Sequence, residues 1–184
     1  TTIPAMSPVA PAANQIASLI TAPDSPEETL LITNKTTRYT FTSHGGGLKL
    51  VEFDGKKYPE SIARFGQKLA TNRPASLNRQ SPQPVLALLN GQAIQGDGIY
   101  KLSRATRIVP PPTNAPASPR RVVEVVRAEK LLANQIRLVK EFELGTNYLL
   151  TARFRVENGS TQALAVPSLE WSIGSAGPES PQDK

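Results

Sequence analysis

The chain has 184 residues, 39% of them hydrophobic and 5% aromatic, enough for one domain whose core folds without staples. It has no cysteine, which excludes a disulfide framework and a thiolate metal site, and its longest apolar runs are too short to cross a bilayer. The net charge of +6 is concentrated: nine Lys/Arg between positions 101 and 140 stand against only Glu124 and Glu129, a bias toward acidic partners or an anionic membrane face.

Residues 1–27 are rich in Pro and Ala, as in Ser7-Pro8-Val9-Ala10-Pro11 and Ala22-Pro23-Asp24-Ser25-Pro26. They hold too few large apolar side chains to offset the entropy of ordering, and read as an extended linker. The start, Thr1-Thr2-Ile3-Pro4, has neither an initiator methionine nor a signal-peptide pattern, so the chain reads as a processed piece of a longer protein. One folded domain is expected over 28–178, followed by a polar tail over 179–184.

The first expected strand covers 29–33. The next, 37–42, alternates with Tyr39 and Phe41 on one face. Gly45-Gly46-Gly47 breaks the pattern, 48–50 resumes it, and the shifted register of 51–53 predicts a bulge before the turn at Asp54-Gly55. Residues 60–84 are polar and dotted with prolines, with room for a short helix over 61–69. Strands are expected at 85–89 and 98–103, separated by turn signals at Asn90-Gly91 and Gly96-Asp97-Gly98. Residues 110–119 form a stiff loop of polyproline character.

The stretch 121–144 offers both a helical and a strand pattern. Val122, Val123, Val125 and Val126 favour strand. Ile136, Leu138, Phe142 and Leu144 occupy even positions, and only Val139 and Lys140 depart from the alternation. The reading is a strand over 122–127, a turn around 130–134 and a strand over 135–144. A hairpin turn at Gly145-Thr146-Asn147 leads into a strand alternating from Tyr148 to Val156, then an Asn158-Gly159 turn and strands at 163–166 and 169–173. Short strands joined by close turns, each with one polar face, predict an all-β, antiparallel β-sandwich.

The chemistry-bearing residues are sparse. His44, the only histidine, has no acidic cluster beside it and reads as a turn residue. The glycine triplet lacks the Lys-Ser/Thr and the helix that a phosphate cradle needs; it suits a sharp reversal between strands. Glu52, Asp54, Glu141, Glu143 and Glu170 read as solvent-facing strand or turn residues rather than paired catalytic acids. Trp171 shares parity with Leu169 and Ile173, so it lines either the core or a groove where it would anchor a partner. The candidate binding residues are Trp171, Arg120, Arg121 and Arg127, with no catalytic residue, metal ligand or cofactor. Nucleic acid is disfavoured because prolines interrupt the basic stretch and stacking aromatics are nearly missing from it. The reading is a binding or scaffolding domain, not an enzyme.

Two runs carry a family resemblance. Leu31-Ile32-Thr33-Asn34, Arg38-Tyr39-Thr40-Phe41-Thr42-Ser43-His44-Gly45-Gly46-Gly47-Leu48-Lys49 and Lys57-Tyr58-Pro59 form the first; the second is Ile136-Arg137-Leu138-Val139-Lys140-Glu141-Phe142-Glu143-Leu144, Asn147-Tyr148 and Phe154-Arg155-Val156-Glu157-Asn158. In order and spacing over 29–175 they resemble the large periplasmic domain of bacterial YidC-type membrane protein insertases. The resemblance implies a β-supersandwich, the galactose-mutarotase-like fold, used without sugar chemistry. It implies an accessory domain on the periplasmic side of the inner membrane, in contact with nascent membrane proteins or secretion translocon subunits. Residues 1–27 would be the tether from a first membrane helix. The region 60–120 departs from the family pattern, and the chain ends before such a domain is usually complete. The alternative from another class is a carbohydrate-binding or mutarotase-like β-sandwich, although a His/Glu pair for mutarotation is missing from the sequence.

Overall fold

The computed structural model describes residues 25–58, 73–79, 81, 83–90, 93–94, 98–110, 120–145, 148–165 and 169–173. Among them every regular element is a strand: β1 (Thr29–Thr33), β2 (Thr37–Thr42), β3 (Gly47–Phe53), β4 (Ser76–Leu77), β5 (Leu88–Asn90), β6 (Ala93–Ile94), β7 (Lys101–Val109), β8 (Arg121–Leu131), β9 (Ile136–Leu144), β10 (Leu150–Asn158) and β11 (Glu170–Trp171). They form two four-stranded antiparallel sheets, β1-β2-β3-β4 and β10-β9-β8-β7, and a small sheet β11-β5-β6. The fold is the expected all-β antiparallel sandwich.

Alternation decides which faces meet. Ile32, Tyr39, Phe41 and Leu48 from the first sheet pack against Val126, Ala128, Ile136, Leu138, Phe142 and Leu144 from the second. The Phe41 and Phe142 rings stand 5.1 Å apart between centroids, an inter-sheet contact at aromatic packing distance. Apolar burial of this kind, at about 25 cal/mol per Å² removed from water, is the main force holding the sheets together.

Several expected elements have different bounds. The valine-rich strand runs to Leu131, beyond 127, because Ala128 and Lys130 continue the inward parity of Val126 and pair with Lys140 and Leu138. The turn accordingly falls at Leu132–Gln135, closed by the Leu132 N–H to Ile136 O bond at 2.8 Å and the Gln135 N–H to Leu132 O bond at 3.0 Å. The strand expected at 98–103 begins at Lys101 and runs to Val109, since β8 offers it a full antiparallel partner. Of 85–89, only Leu88 and Leu89 are ladder residues, while Val85 makes an isolated bridge to Leu48. Residues 163–165 are not in a strand, and 169–173 contracts to Glu170–Trp171, whose partner β5 is itself short.

The bulge lies earlier than expected. Thr40 pairs with Leu50 but Phe41 with Leu48, so Lys49 is the extra residue. Two reciprocal 2.8 Å backbone bonds pin Leu48 to Val85, and Lys49 turns out to pair with Glu27. Residues 25–28, at the end of the expected linker, pack on β2: the Glu28 N–H donates to Ser43 Oγ (2.9 Å) and Thr42 Oγ1 to Glu27 Oε1 (2.5 Å). The helix over 61–69, the turns at Asn90-Gly91 and Gly96-Asp97, the hairpin residues Thr146-Asn147, the proline loop 111–119 and the tail 179–184 lie outside the described residues.

Candidate functional site

The most unusual group in the core is an amine. Lys140, on the inward parity of β9 between Leu138 and Phe142, is fully buried. It does not break the alternation: a lysine occupies a core position. Its Nζ donates to Gly45 O at 2.6 Å and to Leu86 O at 3.0 Å, and stands 4.4 Å from the Tyr100 ring centroid and 6.0 Å from that of Trp171. The stem is covered by the sheets, and burial pushes its pKa well below the ordinary 10.5. The two carbonyls take two of the amine's N–H donors.

Gly45 and Gly46 have positive φ (72° and 58°), a conformation that costs glycine little. The second requirement is space. A Cβ on Gly46 would lie 2.5 Å from Tyr100 Cγ, and one on Gly47 would lie 2.3 Å from Val85 O. Absence of side chains therefore lets the backbone settle on Tyr100 and carry Gly45 O to Lys140. Leu86 also has a positive φ of 65°, strained for a residue with a Cβ, and is held by Lys140 on its carbonyl and by Ser172 O on its N–H at 2.6 Å. Lys130 approaches the same ring, 5.7 Å from the Tyr100 centroid, and donates to Ile99 O at 3.1 Å; burial lowers its pKa as well. Burial raises the Tyr100 phenol, whose oxygen has no protein partner among the described residues. This centre links three sheets to one amine. Lys140 and Tyr100 at its middle are buried, and the amine donates to backbone carbonyls.

The predicted binding residues do not converge. Trp171 packs on the inner side, edge to face with Phe154 at 5.9 Å and partly buried against the core. Arg127 has the opposite parity and faces outward, paired with Glu129 at 2.9 Å. Arg120 and Arg121 are exposed at the start of β8. The tryptophan thus belongs to the Lys140 centre and the arginines to other surfaces. Lys140 and Tyr100 are not among the expected site residues, because Lys140 counts in the sequence only as one more cation of the basic stretch and as a departure from the alternation of 135–144. Parity was the available signal, since Lys140 shares it with four core residues.

Glu141 and Glu143, expected to face solvent, sit in a network on the outer face of β9. Glu141 is buried and binds Arg107 at 2.6 Å and Arg155 at 3.1 Å; Glu143 binds Arg153 at 2.7 Å. Burial raises the Glu141 pKa, but the Arg107 hydrogen bond and the charges of Arg155, Arg107 and Arg127 outweigh it, and the carboxyl ends below its ordinary value. Val123, Val125 and Val139 are buried on this outer face too, with Arg107 cross-strand from Val123 and Arg155 cross-strand from Val139.

One end of the sandwich is different in character. The turn after β1 reaches the second sheet through Asn34 Nδ2 to Gly145 O at 3.5 Å, and the turn after β3 reaches it through aromatics. Phe53, Tyr58 and Tyr148 form a triangle with centroids 5.9 to 6.0 Å apart, and Lys57 lies 5.3 Å over Tyr58. Beside it an open depression of about 380 Å³ is lined by Asn34, Arg38, Glu52, Asp54 and Pro74 among others. Several of its polar groups are engaged: Arg38 with Glu52 at 3.5 Å, Asp54 Oδ1 with the Lys56 N–H, and Asn34 Oδ1 with the Thr36 and Thr37 N–H groups, while Lys35 is exposed on its rim. His44, at the other end, bonds Ser25 O at 2.9 Å through Nε2. No group of three His, Cys, Asp or Glu residues is placed to hold a metal among the described residues. Comparison of the chain with known protein families, with curated proteins and with solved structures finds no match.

Proposed function

We propose that this chain is a non-catalytic accessory domain of a YidC-like membrane protein insertase, on the periplasmic side of the inner membrane. In this reading its β-supersandwich serves as a scaffold that contacts nascent membrane proteins or secretion translocon subunits. The observation that carries the reading is the Lys140 Nζ to Gly45 O bond at 2.6 Å, between residues 95 positions apart. It joins the two runs on which the resemblance rests, the glycine reversal and the lysine-x-phenylalanine strand. Phe41 and Phe142 join the same two runs a second time. The two runs thus pack as one unit, which is what the resemblance leads one to expect of them.

The non-catalytic part of the proposal is supported by how the ionisable groups are used. Lys140 is spent on backbone carbonyls, Glu141 on arginines, and Glu52 of the depression on Arg38. The test is the coding sequence on either side of the chain. A hydrophobic helix upstream of Thr1 and an insertase membrane core downstream of Lys184 are expected; flanks that encode neither overturn the proposal.

A further inference from the structure

The register leaves part of the second sheet uncovered. β8 pairs with β9 only from Val125 onward, whereas its first residues, Arg121 to Glu124, pair with β7 alone. A two-stranded ribbon therefore projects past Leu144, at the end of the sandwich that carries the aromatic triangle. On its core-side face Ile108 and Val122 form a cross-strand pair that no strand among the described residues opposes, 61% and 64% exposed. Leu149, in the neighbouring turn, is 70% exposed, and Tyr58 and Tyr148 are partly uncovered.

The charge at this end is one-sided. Lys35, Lys56 and Lys57 occupy its turns and Arg120 and Arg121 the tip of the ribbon, all exposed. Of the nearby acids, Glu124 is matched by Arg104 and Glu52 by Arg38 and Arg79, which leaves Asp54, bonded to the Lys56 backbone N–H, against five exposed cations. Exposed aliphatics, phenols able to sit between apolar and wet surroundings, and a surplus of cations together match one kind of occupant. We propose that this end of the sandwich rests on an anionic lipid surface, with Ile108, Val122 and Leu149 entering the headgroup boundary and Arg120 and Arg121 meeting lipid phosphates. The proposal stands apart from the insertase reading, because it follows from the surface chemistry and would hold for any parent protein.

The test is vesicle co-sedimentation of the 184-residue chain, with equimolar phosphatidylglycerol and phosphatidylcholine against phosphatidylcholine alone. Binding is expected only to the anionic vesicles and should fall with added salt. At about fivefold per basic residue, the Arg120→Gln/Arg121→Gln double variant should bind roughly 25-fold more weakly. The Lys101→Gln/Arg137→Gln variant removes the same charge from the opposite end of the sheet and should change binding less than about threefold. Both pairs are exposed, and thermal unfolding confirms that each variant is folded. Absence of binding to the anionic vesicles overturns the proposal. So does an equal loss in the two double variants, which would mean diffuse charge attraction. Binding by an acidic protein surface instead of vesicles would overturn it as well. None of these outcomes depends on the coding sequence that tests the insertase reading.

Discussion

Replacing Lys140 by methionine keeps the length and much of the volume of the side chain while removing its donors. Two carbonyls, Gly45 O and Leu86 O, then lose their partner in a buried site, at about 1–3 kcal/mol each, or about 2–6 kcal/mol together. The opposing term is the desolvation of the lysine, which methionine does not pay. The balance depends on pH, and the sign follows from the lowered native pKa. Between that value and the ordinary 10.5 the unfolded chain holds a proton on Lys140 that the native chain does not, so native stability rises with pH across the window. The slope there is about 1.4 kcal/mol per pH unit. Below the native pKa both states are protonated and the gain is lost. Urea unfolding of the two proteins from about pH 6 to about pH 9.5 stays below the ordinary ionisation of tyrosine near 10. The destabilisation caused by Lys140→Met should grow toward the alkaline end of the scan. Parallel stability curves for the two proteins would refute a lowered pKa for the buried amine.

Three further outcomes follow from the same geometry. Gly46→Ala forces a positive φ on alanine, at roughly 1–2 kcal/mol, and drives its Cβ into the Tyr100 ring, so thermal unfolding should show a loss above about 2 kcal/mol. Tyr100→Phe keeps the ring under Lys140 and deletes an oxygen with no protein partner, so stability should change by less than about 1 kcal/mol, whereas Tyr100→Ala should cost about 3–5 kcal/mol in chemical denaturation. Glu141 has a lowered pKa, so its contribution is present above the ordinary 4.5 and is lost as pH falls through the native value; Glu141→Gln should flatten that acid limb by about 1 kcal/mol, a figure reduced by the exposure of Arg107 and Arg155.

The amino-acid sequence by itself determined the class of fold and most of its strands. Period-two alternation is a local property of the chain, and Tyr39 with Phe41, or Ile136 through Leu144, states which side chains must share a buried face whatever they pack against. The hairpin of β9 and β10 was legible for that reason. Strand ends were less legible, because they depend on partners: β8 extends to Leu131 and β7 to Val109 since each offers the other hydrogen bonds, and β11 shrinks because β5 is short.

Only the tertiary structure decided what the ionisable residues do. In sequence Lys140 is one of nine cations between 101 and 140, and its parity alone cannot say whether the amine meets water, an acid or a carbonyl. The answer rests on Gly45 and Leu86, which are 95 and 54 residues away and come within hydrogen-bonding reach because Gly46 and Gly47 lack side chains. Trp171 and Arg127 were separated in the same way, by the two faces of a sheet whose partners are set at long range. Local periodicity fixes the direction of a side chain; the cost of burying its charge is fixed by what the rest of the chain brings to meet it.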